Sequence, residues 1–172
     1  MKATDLDFST LRYFAAHEFP SDVLDYMDAR LIKKLDEFRA ALGYGLVPSP
    51  LRAGWVRESG STGSQHYIGA VRTNADGHKE SARLSTAGDL FPVQSCDIRH
   101  ALMTALRMGF GGIGVYLDTR GPLGTPQYMI HVDIREGAPQ LWMRDDGKYI
   151  YPYRGDAEMD LFYKKLSGVT AA

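Results

Sequence analysis

Apolar residues recur at steps of three and four from Leu24 through Met27, Leu31, Leu35 and Phe38 to Leu42, the spacing of one helical face. Ser21, following Pro20, supplies an N-cap and Gly43 a stop, so the pattern predicts a helix over 21–42. Its polar positions, Asp25, Lys33, Lys34, Asp36 and Glu37, read as a solvated face. From Tyr44 to Gly63 the chain is broken by Pro48, Pro50, Gly54, Gly60 and Gly63, which predicts short extended pieces and loop. A second helix is expected from an N-cap at Ser95 through Ile98, Leu102, Ala105 and Met108, stopped by Gly109.

After Gly109 the period changes to two. Ile113, Val115 and Leu117 alternate with Gly112, Gly114 and Tyr116, and Tyr128, Ile130, Val132 and Ile134 alternate with Met129, His131, Asp133 and Arg135. The aliphatic set of the second strand faces the core, so His131, Asp133 and Arg135 share the opposite, open face. Leu141 to Met143 reads as another strand, and Asp146-Gly147 before Tyr149, Ile150 and Tyr151 predicts a hairpin with a type I′ turn. A closing helix over 156–166 would carry Met159, Phe162, Tyr163 and Leu166 as its apolar stripe. The elements add up to an α+β protein in which N-terminal helices pack on a small, mainly antiparallel sheet.

Length and charge narrow the class. With 172 residues, 44% of them hydrophobic, the chain can build one substantial core, and a single domain over 1–172 is expected. Twenty basic against 21 acidic residues leave a net charge of -1, giving no field that would draw nucleic acid or an anionic membrane. Neither partner is expected, nor is membrane insertion, and the chain is read as a monomer. The acidic start, Met1-Lys-Ala-Thr-Asp-Leu-Asp, lacks the apolar stretch of a secretory signal, so a cytoplasmic product is expected. The single Cys96 excludes an intramolecular disulfide and an all-cysteine zinc site; it is read as a half-buried helical thiol.

A metal must therefore rely on histidine and carboxylate. Ser64-Gln-His66-Tyr-Ile-Gly69 and Met129-Ile-His131-Val-Asp133-Ile-Arg135 each offer a histidine, and Asp76 and Asp89 lie between them. Two histidines and one carboxylate form the nitrogen and oxygen set of a catalytic zinc site, with the fourth position open to water. Zinc would lower the pKa of that water from about 15.7 towards about 7. His78 and His100 are read as solvated or structurally satisfied. Trp142, Tyr149, Tyr151 and Tyr153 either floor a cleft or pack across strands.

These segments resemble the M15 peptidase family, the zinc D-Ala-D-Ala carboxypeptidase-like enzymes that include phage endolysins and bacterial murein endopeptidases. That family joins Ser-x-His-x-x-Gly-x-Ala-x-Asp to a later strand carrying His-x-Asp. Here Ser64, His66 and Gly69 match the first half and His131 with Asp133 the second. Gly111 to Tyr116 resembles the glycine-rich strand, Leu141-Trp142 the tryptophan strand, and the helix ending at Leu42-Gly43 the scaffold helix. The expected aspartate position, seven residues after His66, is Thr73. Thr86-Ala87-Gly88-Asp89 is the preferred replacement, with an insertion over about 70–85, and Asp76 is the alternative.

The resemblance implies a Hedgehog/DD-peptidase-like fold and Zn2+ held by His66, Asp89 and His131. It also implies a substrate-contacting arginine at Arg57, with Arg52 in reserve, and hydrolysis of an amide in the stem or crosslink peptide of peptidoglycan. Asp133 is the candidate general base, or else the partner that orients a ligand histidine. The expected setting is a muralytic enzyme that reaches the wall after release or within a phage particle. The rival is an inactive zinc-binding module of the same fold, serving as a wall binder or phage structural protein.

Overall fold

The computed structural model describes residues 1–93 and 97–169, which include three α-helices and eight strands. In chain order they are α1 (Ala29–Leu42), β1 (Leu46–Pro48), β2 (Arg72–Thr73), β3 (Lys79–Glu80) and β4 (Ala87–Pro92). Then come α2 (Ile98–Arg107), β5 (Gly112–Tyr116), β6 (Met129–Asp133), β7 (Gln140–Asp145), β8 (Lys148–Ile150) and α3 (Asp156–Ser167). The protein is α+β, and its main sheet has six strands in the order β1-β4-β6-β5-β7-β8. Every neighbouring pair is antiparallel except β5 and β7, while β2 and β3 form a separate hairpin.

Alternation divides the main sheet into two faces. Leu90, Ile113, Val115, Ile130, Val132 and Met143 point to the core, where α2 packs on β5 and β6 and α1 packs on α2. Phe38 of α1 meets Phe110 edge to face, with centroids 5.3 Å apart. Leu31, Ile32, Leu35 and Phe38 are all 0% exposed, and burial contributes about 1.5–3 kcal/mol for each. The α1 cap contributes only about 1 kcal/mol, so packing holds this helix in place.

That cap is Asp28, whose carboxylate accepts from Arg30 N at 2.9 Å, so the helix starts eight residues after Ser21. The apolar spacing at Leu24 and Met27 is real, but the segment is claimed by tertiary pairing. Ser85 N donates to Tyr26 O and Asp28 N to Ser85 O, which draws Met27 into an extended bridge and leaves Leu24–Tyr26 as one 3₁₀ turn. For α2, Asp97 is the cap, accepting from Arg99 N at 2.9 Å. The readings of Ser95 and Cys96 fall outside the described residues.

The β7–β8 turn is type I′ as expected, with Asp146 and Gly147 at φ 48° and 72°. The α3 stripe narrows to Phe162, at 1% exposure, with Leu166 partly buried; Met159 and Tyr163 are exposed. The segment over 70–85 carries the β2–β3 hairpin. Among the described residues no helix is long and apolar enough to cross a membrane.

Candidate metal centre

The sheet face opposite the core gathers the chemistry. Asp89 pairs in register with His131 across β4 and β6, and His131 with Gly114 across β6 and β5. Since Leu90 and Ile130 point inward, Asp89 and His131 project together on the other side.

His66 arrives from a loop rather than a strand. Arg57 N donates to His66 O at 2.7 Å and Ile68 N to Arg57 O at 2.9 Å, a two-bond bridge that aligns the loop with the chain before it. Below lies Trp55, fully buried, its indole N–H donating to Ser49 O at 2.8 Å. The Arg83 guanidinium clamps the loop by donating to the carbonyls of Thr62, Ser64 and Tyr67.

The three side chains meet. His66 Nε2 is 3.3 Å and His131 Nδ1 2.9 Å from Asp89 Oδ1, and the two nitrogens are 3.0 Å apart. Exposures of 3%, 7% and 5% for His66, Asp89 and His131 put the cluster nearly out of water. Trp55 O, a pure acceptor 3.3 Å from His66 Nδ1, fixes the ring proton there. The Asp133 carboxylate, 3.2 Å from His131 Nε2, likewise fixes a proton on the far side of that ring.

Two imidazole lone pairs and a carboxylate oxygen are thereby aimed at one another with no donor between them. Such an arrangement needs a cation at its centre, either a proton or a metal ion. The chemistry fits a divalent metal: imidazole and carboxylate suit zinc among others, and each histidine has the outer hydrogen bond that orients a ligand.

The protonation energetics agree. Burial opposes charge on His131, yet Asp133 and Asp89 outweigh it and raise its pKa, whereas burial dominates at His66 and lowers it. Burial also works against both carboxylates. The histidines nonetheless hold Asp89 far below the usual range, and His131 with Arg135 brings Asp133 down to about 2. In the metal-free fold, stability from charged His131 is complete below its unfolded pKa and lost as pH rises through the raised folded value. That from Asp89 and Asp133 is present above the unfolded carboxylate value and lost as pH falls towards their depressed ones. A metal ion must displace the His131 proton. Zinc affinity should therefore weaken by up to about tenfold per pH unit on acidification below the His131 pKa, with about one proton released per zinc bound. Zinc titrations in buffers of different ionisation enthalpy would measure both; an affinity flat across that range would exclude His131 as a ligand.

His66 and His131 line a cleft of about 350 Å³. Arg57 also lines it, Nε donating to Ala53 O at 2.8 Å and a terminal nitrogen 3.9 Å from Asp89 Oδ2. Arg52 is elsewhere, paired with Asp22 at 2.7 Å and Glu58 at 2.9 Å beside a different pocket. Asp76 is exposed in the β2–β3 turn, where its backbone N–H donates to Asn74 Oδ1, and His78 and His100 are also exposed. Asp133 lies behind His131, 0% exposed, with both oxygens bonded to Arg135. Of the two roles open to it, this position suits orientation of His131.

Trp142, Tyr149 and Tyr151 line the cleft, whereas Tyr153 is exposed outside it. The sequence reading missed Tyr116, which also lines the cleft, and the Arg83 clamp. Burial raises the Tyr116 pKa well above the ordinary phenol range; the bond donated by Trp142 opposes this, and Asp89 and Tyr149 reinforce it.

The glycine-rich strand has a steric reason. A Cβ on Gly112 would sit 2.1 Å from Asp133 Oδ2, and one on Gly114 2.4 Å from the Trp142 indole, which crosses β5 to bring its ring 5.0 Å from that of His131. No protein-family model, curated protein or solved structure matches this chain.

Proposed function

We propose that the chain is a zinc-dependent peptidase of Hedgehog/DD-peptidase-like fold, hydrolysing an amide bond in the stem or crosslink peptide of bacterial peptidoglycan. The observation that carries this reading is the buried convergence of His66 Nε2, His131 Nδ1 and Asp89 Oδ1, with both imidazoles lining an open cleft. Three protein ligands with an accessible side are the arrangement of catalytic rather than structural zinc. The wall substrate rests on the resemblance of the three segments that supply these ligands to those of the zinc D-Ala-D-Ala carboxypeptidase-like enzymes.

Bound there, the metal would supply Lewis acidity, polarising an amide carbonyl and acidifying water. Asp133, clamped by Arg135, holds the His131 ring in its ligand tautomer. Arg57, cationic, 44% exposed in its side chain and anchored through Nε to Ala53 O, keeps its terminal nitrogens for negative charge developing on a carbonyl oxygen. Trp142 covers one side of the His131 ring and keeps bulk water from it.

A second reading has its own support. With Asp133 sequestered, no carboxylate is among the described side chains lining the cleft, so no acidic base faces a reacting water. That favours a zinc-binding wall module or phage structural component. Incubating the zinc-loaded chain with purified peptidoglycan separates the two: a peptidase releases new amino groups, and a chelator stops it. Co-sedimentation with the wall and one zinc per chain, without release, would establish the binder.

A further inference from the structure

The reaction proposed above leaves one group of the cleft without a task. Tyr116 ends β5 on the metal face, two residues beyond Gly114, which pairs with His131 on one side and Trp142 on the other. Its hydroxyl accepts from the Trp142 indole N–H at 3.3 Å, and Trp142 is itself fixed against the His131 ring. A tyrosine that accepts such a bond has its own O–H left to donate, in a direction set by the indole. The ring of Tyr149 stands edge-on beside it, its centroid 6.3 Å away. Tyr149 is 49% exposed on the edge strand β8 and can yield to a ligand oxygen.

The other polar groups of the cleft are less suited. Gln65 is engaged at both ends of its amide, donating to Gly63 O and accepting from Thr86; Gln140 is exposed, with Oε1 held by Arg135; and Ser64, whose hydroxyl accepts from His66 N, sits on the loop rather than on the sheet that carries His131. Arg57 is a partly exposed cation already anchored through Nε to Ala53 O at 2.8 Å, with its terminal nitrogen 3.9 Å from Asp89 Oδ2.

We infer that the Tyr116 hydroxyl donates a hydrogen bond to the carbonyl oxygen of the scissile amide, beside the metal and in concert with Arg57, and so helps to stabilise the oxyanion. The inference rests on the amide-hydrolase reading for its substrate, but the donor itself can be tested without turnover. No covalent step is added: the tyrosine proton stays on its oxygen while negative charge builds on the carbonyl.

The test compares wild type with Tyr116→Phe, which keeps the ring against Tyr149 and Trp142 and removes only the hydroxyl. Zinc content is measured first, then kcat and KM on peptidoglycan peptides, and the affinity of acetohydroxamate for the zinc-loaded protein. The inference expects one zinc per chain in both proteins, kcat lower by about 10²-fold with KM nearly unchanged, and acetohydroxamate bound up to about tenfold more weakly. Equal kcat and equal acetohydroxamate affinity would overturn it. If wild type cleaves no peptide, the hydrolase reading fails by itself. A weaker acetohydroxamate complex in the variant would then still establish Tyr116 as the donor, and an unchanged one would remove it.

Discussion

His131→Ala is expected to leave the chain folded but without stoichiometric zinc, and to abolish release of amino groups from peptidoglycan. The imidazole is the hub of the centre, its Nδ1 facing Asp89 and His66 and its Nε2 facing Asp133. Removing an outer partner of a ligand lowers metal affinity by about 10–100-fold, so loss of the ligand itself should exceed that and leave the protein metal-free at micromolar zinc. Folding should survive because Asp133 keeps its bidentate partner Arg135 and the deleted ring lies on the sheet face away from the aliphatic core. Asp89→Asn, which preserves shape and removes charge, should show the same zinc loss. Metal analysis beside a circular dichroism spectrum checks both variants. One zinc per chain retained by His131→Ala would place the centre elsewhere and take the proposed chemistry with it.

The separate segments of this centre were legible to different depths. His131 could be placed by local alternation, since Ile130 and Val132 can satisfy the core only if His131 and Asp133 turn away. Alternation fixes the direction of a side chain, not what covers it. The face read as open is roofed by the His66 loop and by Trp142, which leaves His131 only 5% exposed.

The carboxylate was harder because the expected spacing lands on Thr73. Arg83 N donates to Ile68 O at 3.2 Å, so the chain leaves into the β2–β3 hairpin and returns to nearly the same point before β4 delivers Asp89. A hairpin closed at its base separates His66 from Asp89 in sequence without separating them in space. Asp76 is nearer in sequence but remains in the turn.

The beginning of α1 could not be read locally at all, because what ends the 24–28 segment as a helix is its pairing with Ser85. The same limit applies to Tyr116. Its place beside the centre depends on β5 lying between β6 and β7, a strand order that sequence patterning does not specify.

Gly112→Ala should carry that strand order into a measurable effect on the metal, although Gly112 offers no ligand. The added methyl would lie 2.1 Å from Asp133 Oδ2 and 2.6 Å from its carboxyl carbon. Asp133 is held by Arg135 N at 3.1 Å, Arg135 Nε at 2.8 Å and His131 Nε2 at 3.2 Å, so it cannot rotate away without breaking bonds inside a region of no exposure. Overpacking of this kind costs about 1–3 kcal/mol, and separating a buried ion pair costs about 3–5 kcal/mol. The substitution is therefore expected to lower folding stability by several kcal/mol, read as a reduced urea midpoint. In the surviving folded fraction it should weaken zinc binding by about 10–100-fold. Asp133→Asn provides the comparison, because it keeps the shape of the carboxylate and removes the charge that holds the Nε2 proton of His131. It should reproduce the loss of zinc affinity with a smaller loss of stability, separating the electrostatic role of Asp133 from the packing around it. If Gly112→Ala binds zinc as tightly as wild type, Asp133 does not govern the orientation of His131, and the glycine-rich strand serves the sheet alone.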